Sequence, residues 1–270
     1  MFKTLVLECL NQINGERSIA SVYHLLTGKR SAQTLQDARI YQISNFFGVY
    51  KELERNEFLS FVEQLANEDY LYYKSLDTVL VTAHGQEFLR NNQNRAKLNQ
   101  FNGLELQRLT VTFDKRLFLF IQTITNIVNQ QHSFIAITDD VHVQHWVKKK
   151  YQMHKHNLDG WLKGLYNELF EILDQFEEVE ATIFVERLSG PNHYGLSRQQ
   201  LAEKHQLDLH NIYLILALIT HKMLSIIMNN KQYYPFLATF IEDSVPQTFM
   251  TDSAMNTYRL YEKGFSIKEI

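Results

Sequence analysis

Apolar residues recur at helical spacing from the second residue onward. Phe2, Leu5, Val6, Cys9, Leu10 and Ile13 fall on one face of a helix over 2–13, and Asn14-Gly15 stops it. Ser18 opens a second helix carrying Ile19, Val22, Tyr23, Leu25 and Leu26, which Gly28 closes. A third helix is predicted from Ser31 to Phe46, with Gly48 as its stop. Phe58, Phe61, Val62 and Leu65 then mark a helix over 54–67. At LYYKSLDTVLVT the period changes. Two short β-rich runs flank Lys74-Ser75-Leu76-Asp77, and AHGQEFLRNN returns to helix. Helices, a tight hairpin and a closing helix are the order of a winged helix-turn-helix.

Beyond that point the pattern is helical almost throughout. QNRAKLNQFNG, residues 93–103, is polar and poor in large aliphatics, and is the best linker candidate. A long helix is predicted from Leu104 to Asn129, followed by irregular or briefly extended chain through SFIAITDDVHV. Helices resume through HWVKKKYQMHKH and WLKGLYNELFEILDQF, EEVEATIFVERL is assigned to helix, and SGPNHYG is a loop. Ser197 and Asp208 are placed to cap two further helices, and the helix, turn and apolar second helix near 196–228 are compatible with another helix-turn-helix. TYRLYEKGFSIKEI, residues 257–270, reads as a helix, a glycine turn and a Ser266 cap for a helix still to come.

The expected class is therefore mainly α. A winged-helix domain over 1–92 carries a small β-wing, and an α-helical domain follows over 104–250 after the linker. Residues 251–270 are expected to be the truncated start of a C-terminal helix-turn-helix. Composition agrees: 3 prolines and 10 glycines in 270 residues are few, which favours long helices over sandwiches or doubly wound folds. The single cysteine, Cys9, rules out an internal disulfide framework and a Cys-based zinc site, and its apolar setting predicts a buried thiol. No uninterrupted apolar stretch approaches the ~20 residues of a membrane helix, and no signal-peptide pattern opens the chain. A cytoplasmic, nucleoid-associated location is expected, with no membrane partner.

Charge is unevenly placed. The net charge is −3, but residues 1–92 carry −2, residues 93–165 carry +5 and residues 166–270 carry −6. A basic middle between acidic ends suits a polyanion on one surface and a protein on another.

Candidate chemistry is sparse. Gly28-Lys29-Arg30-Ser31 has the wrong spacing for a nucleotide phosphate loop, since Arg30 separates Lys29 from the hydroxyl. A helix-opening loop of this composition either grips a nucleic-acid phosphate or is a solvated cap. Tyr70 and Tyr72 alternate with Leu71 and Tyr73 beside Lys74, and at least one of these faces must pack on the helices. Lys148, Lys149 and Lys150, with Lys155 and Trp146, form a basic stripe that is either a phosphate contact or a solvated face. His142 and His145 share a helix face, yet no carboxylate or cysteine completes a metal set. ELFEILDQFEEVE is an amphipathic helix with a charged outer face and no matched nucleophile, so protein docking fits it better than catalysis.

Several short motifs also stand in a telling order. LLTGKRSAQ precedes a helix, FFG precedes a short turn, FVEQLANEDYL leads into the wing, and VLVTAHGQEFL closes residues 21–89. This stretch resembles the winged-helix domain that follows the helicase core in RecQ-family DNA helicases. The ending, TYRLYEKGFSIKEI, is similar to the start of the helicase-associated helix-turn-helix. Together they resemble the YpbB family of Firmicutes, companions of a RecQ-type helicase (RecS).

The resemblance implies a non-enzymatic DNA-binding accessory protein of such a helicase, acting in DNA repair or recombination on duplex, forked or junction DNA. Neither the four-cysteine zinc module nor the ATP-binding motif of the helicases themselves is present. The DNA-contacting candidates are Gly28, Lys29, Arg30, Ser31 and Gln33, then Lys74 at the wing tip and Lys148, Lys149 and Lys150. No cofactor, metal or small-molecule substrate is expected. The alternatives are a transcription regulator with several helix-turn-helix units, which would prefer a palindromic sequence, and a scaffold that binds no DNA.

Overall fold

A computed structural model describes residues 1–243 and 252–266. The chain divides into two compact units, one holding Met1–Gln107 and the described C-terminal residues, the other beginning at Arg108.

The first unit opens with α1 (Phe2–Ile13), α2 (Ile19–Thr27) and α3 (Ala32–Ile40), a 3₁₀ turn at Ser44–Phe46, and α4 (Arg55–Asn67). Strands β1 (Leu71–Tyr73) and β2 (Val79–Val81) follow, then α5 (Ala83–Asn91) and α6 (Asn94–Leu98). The strands form an antiparallel hairpin with Leu71 opposite Val81 and Tyr73 opposite Val79. α1 is the central element, packing on α2, α5, α6 and β2. Its Leu5, Val6, Leu7 and Cys9 are wholly buried, so it is apolar nearly all round, as a core helix must be. Burial also pushes the Cys9 thiol far above its ordinary pKa, leaving it an inert packing residue.

The long helix α7 (Gly103–Val128) contains the boundary between the units. In the second unit it is followed by α8 (Val141–His154), α9 (Leu158–Leu173), α10 (Glu178–Glu186), α11 (Arg198–His205), α12 (Leu209–Asn229), α13 (Pro235–Ala238) and a 3₁₀ turn at Thr239–Ile241. α14 (Asp252–Glu262) lies in the C-terminal segment. α12 is the hub of the second unit, meeting α10, α11 and α13. Glu168 on α9 receives the Phe236 and Leu237 amides at 3.0 and 2.8 Å, which satisfies the first turn of α13.

The mainly α class with a small β-wing matches the expectation, as do most helix positions. Four details differ. The third helix stops at Ile40 rather than Phe46, because Gln42 takes a left-handed φ of 55° and the Ile43 amide folds back onto Ala38. Nothing but a glutamine marks that turn, so the usual glycine signal was missing. Residues 93–103, read as a polar linker, contain α6 and bury Leu98 and Phe101; two apolar side chains are enough to seat a short helix on α1. The region around Pro235 adds α13, which no pattern had marked.

α12 is the fourth difference. It is long and apolar enough to cross a membrane by length and composition, which no uninterrupted apolar stretch announced because His221 and Lys222 break the run. Its apolar residues are those of a core helix, with Ile212, Leu214, Leu218, Ile219, Met223, Leu224 and Ile227 fully enclosed.

α11 and α12 are joined through Gln206 in a left-handed conformation. Ser197 and Gln200 form a reciprocal capping box and Asp208 caps α12, so both predicted caps are made. α14 covers the helix expected before the terminal glycine turn, and Gly264 has a φ of 91°. The last four residues of TYRLYEKGFSIKEI lie outside the described residues.

Candidate nucleic-acid interface

Two of the motifs that stood in order along the chain, LLTGKRSAQ and FFG, meet at the end of α2. The Gly28 and Lys29 amides fold back to Leu25 and His24, ending the helix in a Schellman turn with Gly28 at a φ of 75°. The FFG segment then docks under this turn. The Gly48 amide donates to the Leu25 carbonyl at 2.8 Å and the Tyr50 amide to Leu26 at 2.9 Å. A Cβ on Gly28 would stand 2.9 Å from the Gly48 Cα, so two glycines allow one backbone to lie against the other. Phe47 is fully buried below.

This packing decides what the α2–α3 loop presents. Lys29 and Gln33 are exposed and Ser31 is half-buried. Ser31 Oγ accepts the Thr34 amide at 3.2 Å, the cap predicted for α3. Arg30 differs: it is only 8% exposed, with its guanidinium 5.5 Å from the Phe47 ring centroid. Its neighbours put Lys29 outward, so consecutive positions turn Arg30 in, where it covers an aromatic ring. Of the loop residues, the structure therefore presents Lys29, Ser31 and Gln33 to solvent and assigns Arg30 to packing.

A partner to Lys29 escaped the sequence reading. The His24 imidazole is held below its ordinary pKa by burial, then by Lys29 and by Arg55. Three basic groups from α2, the loop and α4 thus share one corner. Arg55 is exposed and is the first residue of α4, where the positive end of the helix dipole disfavours a cation. A cation at such a position was the available signal, and only the tertiary fold brings the charges of Arg55 and Lys29 to bear on the same imidazole.

The wing projects from the same unit. Lys74 and Leu76 sit in its loop, and Leu76 is entirely exposed. The Ser75 amide and the Lys74 amide share the Thr78 carbonyl, while the Asp77 carbonyl receives the Ile19 amide at 2.8 Å, tying the loop to the start of α2. Leu71 is the strand residue that packs inward, whereas Tyr72 and Tyr73 are both about half exposed. Tyr70 rests against His84 and Phe88 and carries the Lys3 ammonium 3.4 Å above its ring. The closing motif has a mechanical reason. Thr82 Oγ1 accepts the Gly85 amide at 3.0 Å and donates to the Asp69 carbonyl at 2.6 Å, and a Cβ at Gly85 would stand 2.5 Å from the Tyr70 oxygen.

In the second unit, α8 exposes Lys148 and Lys149. Lys150 is turned back to Glu242 at 3.4 Å and lies 5.5 Å from the Trp146 ring. The triple-lysine stripe is thus two exposed cations and one engaged cation.

A helical unit with a two-stranded wing, a glycine-tight α2–α3 turn and a threonine-capped closing helix is the winged-helix class of DNA-binding domain. Residues 4–102 match the RQC domain, which covers nearly all of the Met1–Gln107 part of the first unit. Over its full length the chain is 30% identical to Protein YpbB of Bacillus subtilis (strain 168), covering 76% of that protein. The chain belongs to the YpbB family. No solved structure matches it.

Proposed function

We propose that this protein is a DNA-binding accessory partner of a RecQ-type, RecS-like helicase, with no catalytic activity of its own, working in DNA repair or recombination in the cytoplasm at the nucleoid. The observation that carries the reading is the RQC winged helix, in which exposed Lys29 of the α2–α3 loop and exposed Arg55 of α4 both act on the His24 imidazole. Exposed cations and a helix start are suited to backbone phosphates, which position a protein without reading sequence. Lys29, Ser31, Gln33 and Arg55 form the proposed phosphate contact, Lys74 and the wing a second, and Lys148 with Lys149 a separate basic face. The expected ligand is a fork or a duplex–single-strand junction.

The transcription-regulator alternative has less support. Its second reading helix would be α12, and a recognition helix must lie in a major groove, whereas α12 is enclosed by α10, α11 and α13.

The test is co-purification of the endogenous protein with a helicase, followed by fork-DNA binding by the recovered pair. Recovery of the helicase and preference for forks over random duplex support the proposal. Absence of any helicase, or tight binding to one palindromic sequence, overturns it.

A further inference from the structure

An apolar groove runs between α9 and α10 in the second unit. It encloses about 490 Å³, within the range of sites that hold large side chains or ligands. Tyr166, Phe170 and Leu173 line it from α9, and Ala181, Val185 and Leu188 from the α10 side. Both sets follow helical spacing. Tyr166 and Phe170 are 65% and 60% exposed and stack with centroids 6.1 Å apart. Val185 is half exposed on the opposite wall. Two parallel apolar ridges left open to water are a costly surface for a monomer to keep.

The two charged residues that line the groove, Asp174 and Glu178, are both acidic. Residues 166–180 contain six carboxylates and no lysine or arginine. Three of the six serve the fold: Glu168 caps α13, Glu171 accepts from Tyr234 at 3.3 Å, and Glu180 holds Lys222 at 2.7 Å. Asp174 and Glu178 instead line the groove itself and are exposed. Lys222, whose ammonium lies 4.1 Å from the Phe176 ring at the groove floor, is engaged by Glu180 and does not offset the rim.

We infer that the α9–α10 groove is a docking site for a basic amphipathic helix of a partner protein. Apolar side chains at i, i+3, i+4 and i+7 of that helix seat between Phe170 and Val185, which is the helix-in-groove mode of recognition. Lysine or arginine residues on its flanks meet Asp174 and Glu178. The acidic rim selects against acidic helices and against anionic lipid surfaces, and it speeds encounter with a basic partner. This inference stands on the groove alone and does not depend on DNA binding or on the partner being a helicase.

The test uses the full chain and two labelled synthetic 18-residue helical peptides. Both carry leucine and phenylalanine at i, i+3, i+4 and i+7; one has lysine and arginine on its flanks, the other glutamate. Fluorescence anisotropy should show saturable binding of the basic peptide and about tenfold or weaker binding of the acidic one at low salt, a gap that narrows as salt screens the rim. Phe170→Asp should lower affinity for the basic peptide about tenfold, and so should Asp174→Lys combined with Glu178→Lys. Val185→Asp serves as a second apolar variant, circular dichroism checks the fold of each, and fork-DNA affinity should not move.

Equal binding of the two peptides overturns the inference, as does affinity unchanged by both Phe170→Asp and Val185→Asp. A concentration-dependent doubling of mass in sedimentation that Phe170→Asp abolishes would assign the groove to a second copy of this chain. Flotation with anionic vesicles that the same variant abolishes would assign it to a membrane. Either result also overturns the inference.

Discussion

Gln107 Nε2 donates to the carbonyl oxygen of Gly28 at 3.3 Å. This bond ties the first turns of α7 to the α2–α3 turn that carries Lys29. The Gln107 side chain fills the space that a Cβ on either Gly28 or Gly48 would occupy, with its Cδ 2.8 Å from the position a Gly48 Cβ would take. Gly28→Ala must therefore displace Gln107 while holding a φ of 75°, a strain on the order of 1–3 kcal/mol. Gln107→Ala loses one hydrogen bond and should cost about 1 kcal/mol. Urea unfolding of the two variants should rank them in that order. An equal cost would mean the turn relaxes freely.

Lys29→Ala combined with Arg55→Ala should weaken fork-DNA binding and reduce the slope of log affinity against log salt by about two units. Arg30→Ala should leave the slope unchanged and instead lower stability, because its guanidinium covers Phe47. Anisotropy titrations across a salt series separate the two effects. A slope change for Arg30→Ala alone would place the guanidinium on the DNA.

Thr82→Ala removes the cap of α5 and the bond to the Asp69 carbonyl. The expected loss is about 1–2 kcal/mol, with the wing and α5 exchanging amide protons faster than α1. Hydrogen exchange followed by residue is the measurement, and uniform loosening of the first unit would contradict it.

His221 is buried in α12, and burial holds its imidazole at about 4 against an ordinary 6.5. Between those values the unfolded chain binds a proton that the folded chain does not, so protonation favours unfolding. The contribution of the neutral imidazole is complete above pH 6.5 and is lost as pH falls toward 4. Its size is on the order of 3 kcal/mol. Urea midpoints at pH 7.5, 6 and 5 should fall for the native protein and fall less for His221→Leu. Parallel falls would assign the acid sensitivity to other groups.

The order of elements was legible because it rests on periodicity. α1, α4, α5 and α12 bury the residues that recur at helical spacing, and the change to a period of two at residue 71 marked the wing. Caps were legible for the same local reason: Ser31, Ser197 and Asp208 each accept an amide two or three residues on. What failed was signalled by no local feature. Gln42 ends α3 in a left-handed conformation that glycine usually supplies, and the 93–103 segment became part of the core through Leu98 and Phe101.

By itself, the sequence determined the helical class, the winged-helix order and the motifs that place the chain in its family, since each depends on neighbours a few residues apart. The tertiary structure decided which cations face outward. Lys29 and Arg30 are adjacent in sequence, yet Arg30 lies over Phe47 while Lys29 acts with Arg55 on the His24 imidazole. It also decided that ELFEILDQF and its neighbour helix form an open acidic groove. Burial and long-range juxtaposition depend on which surfaces meet when elements pack, and those meetings join residues that periodicity treats alone.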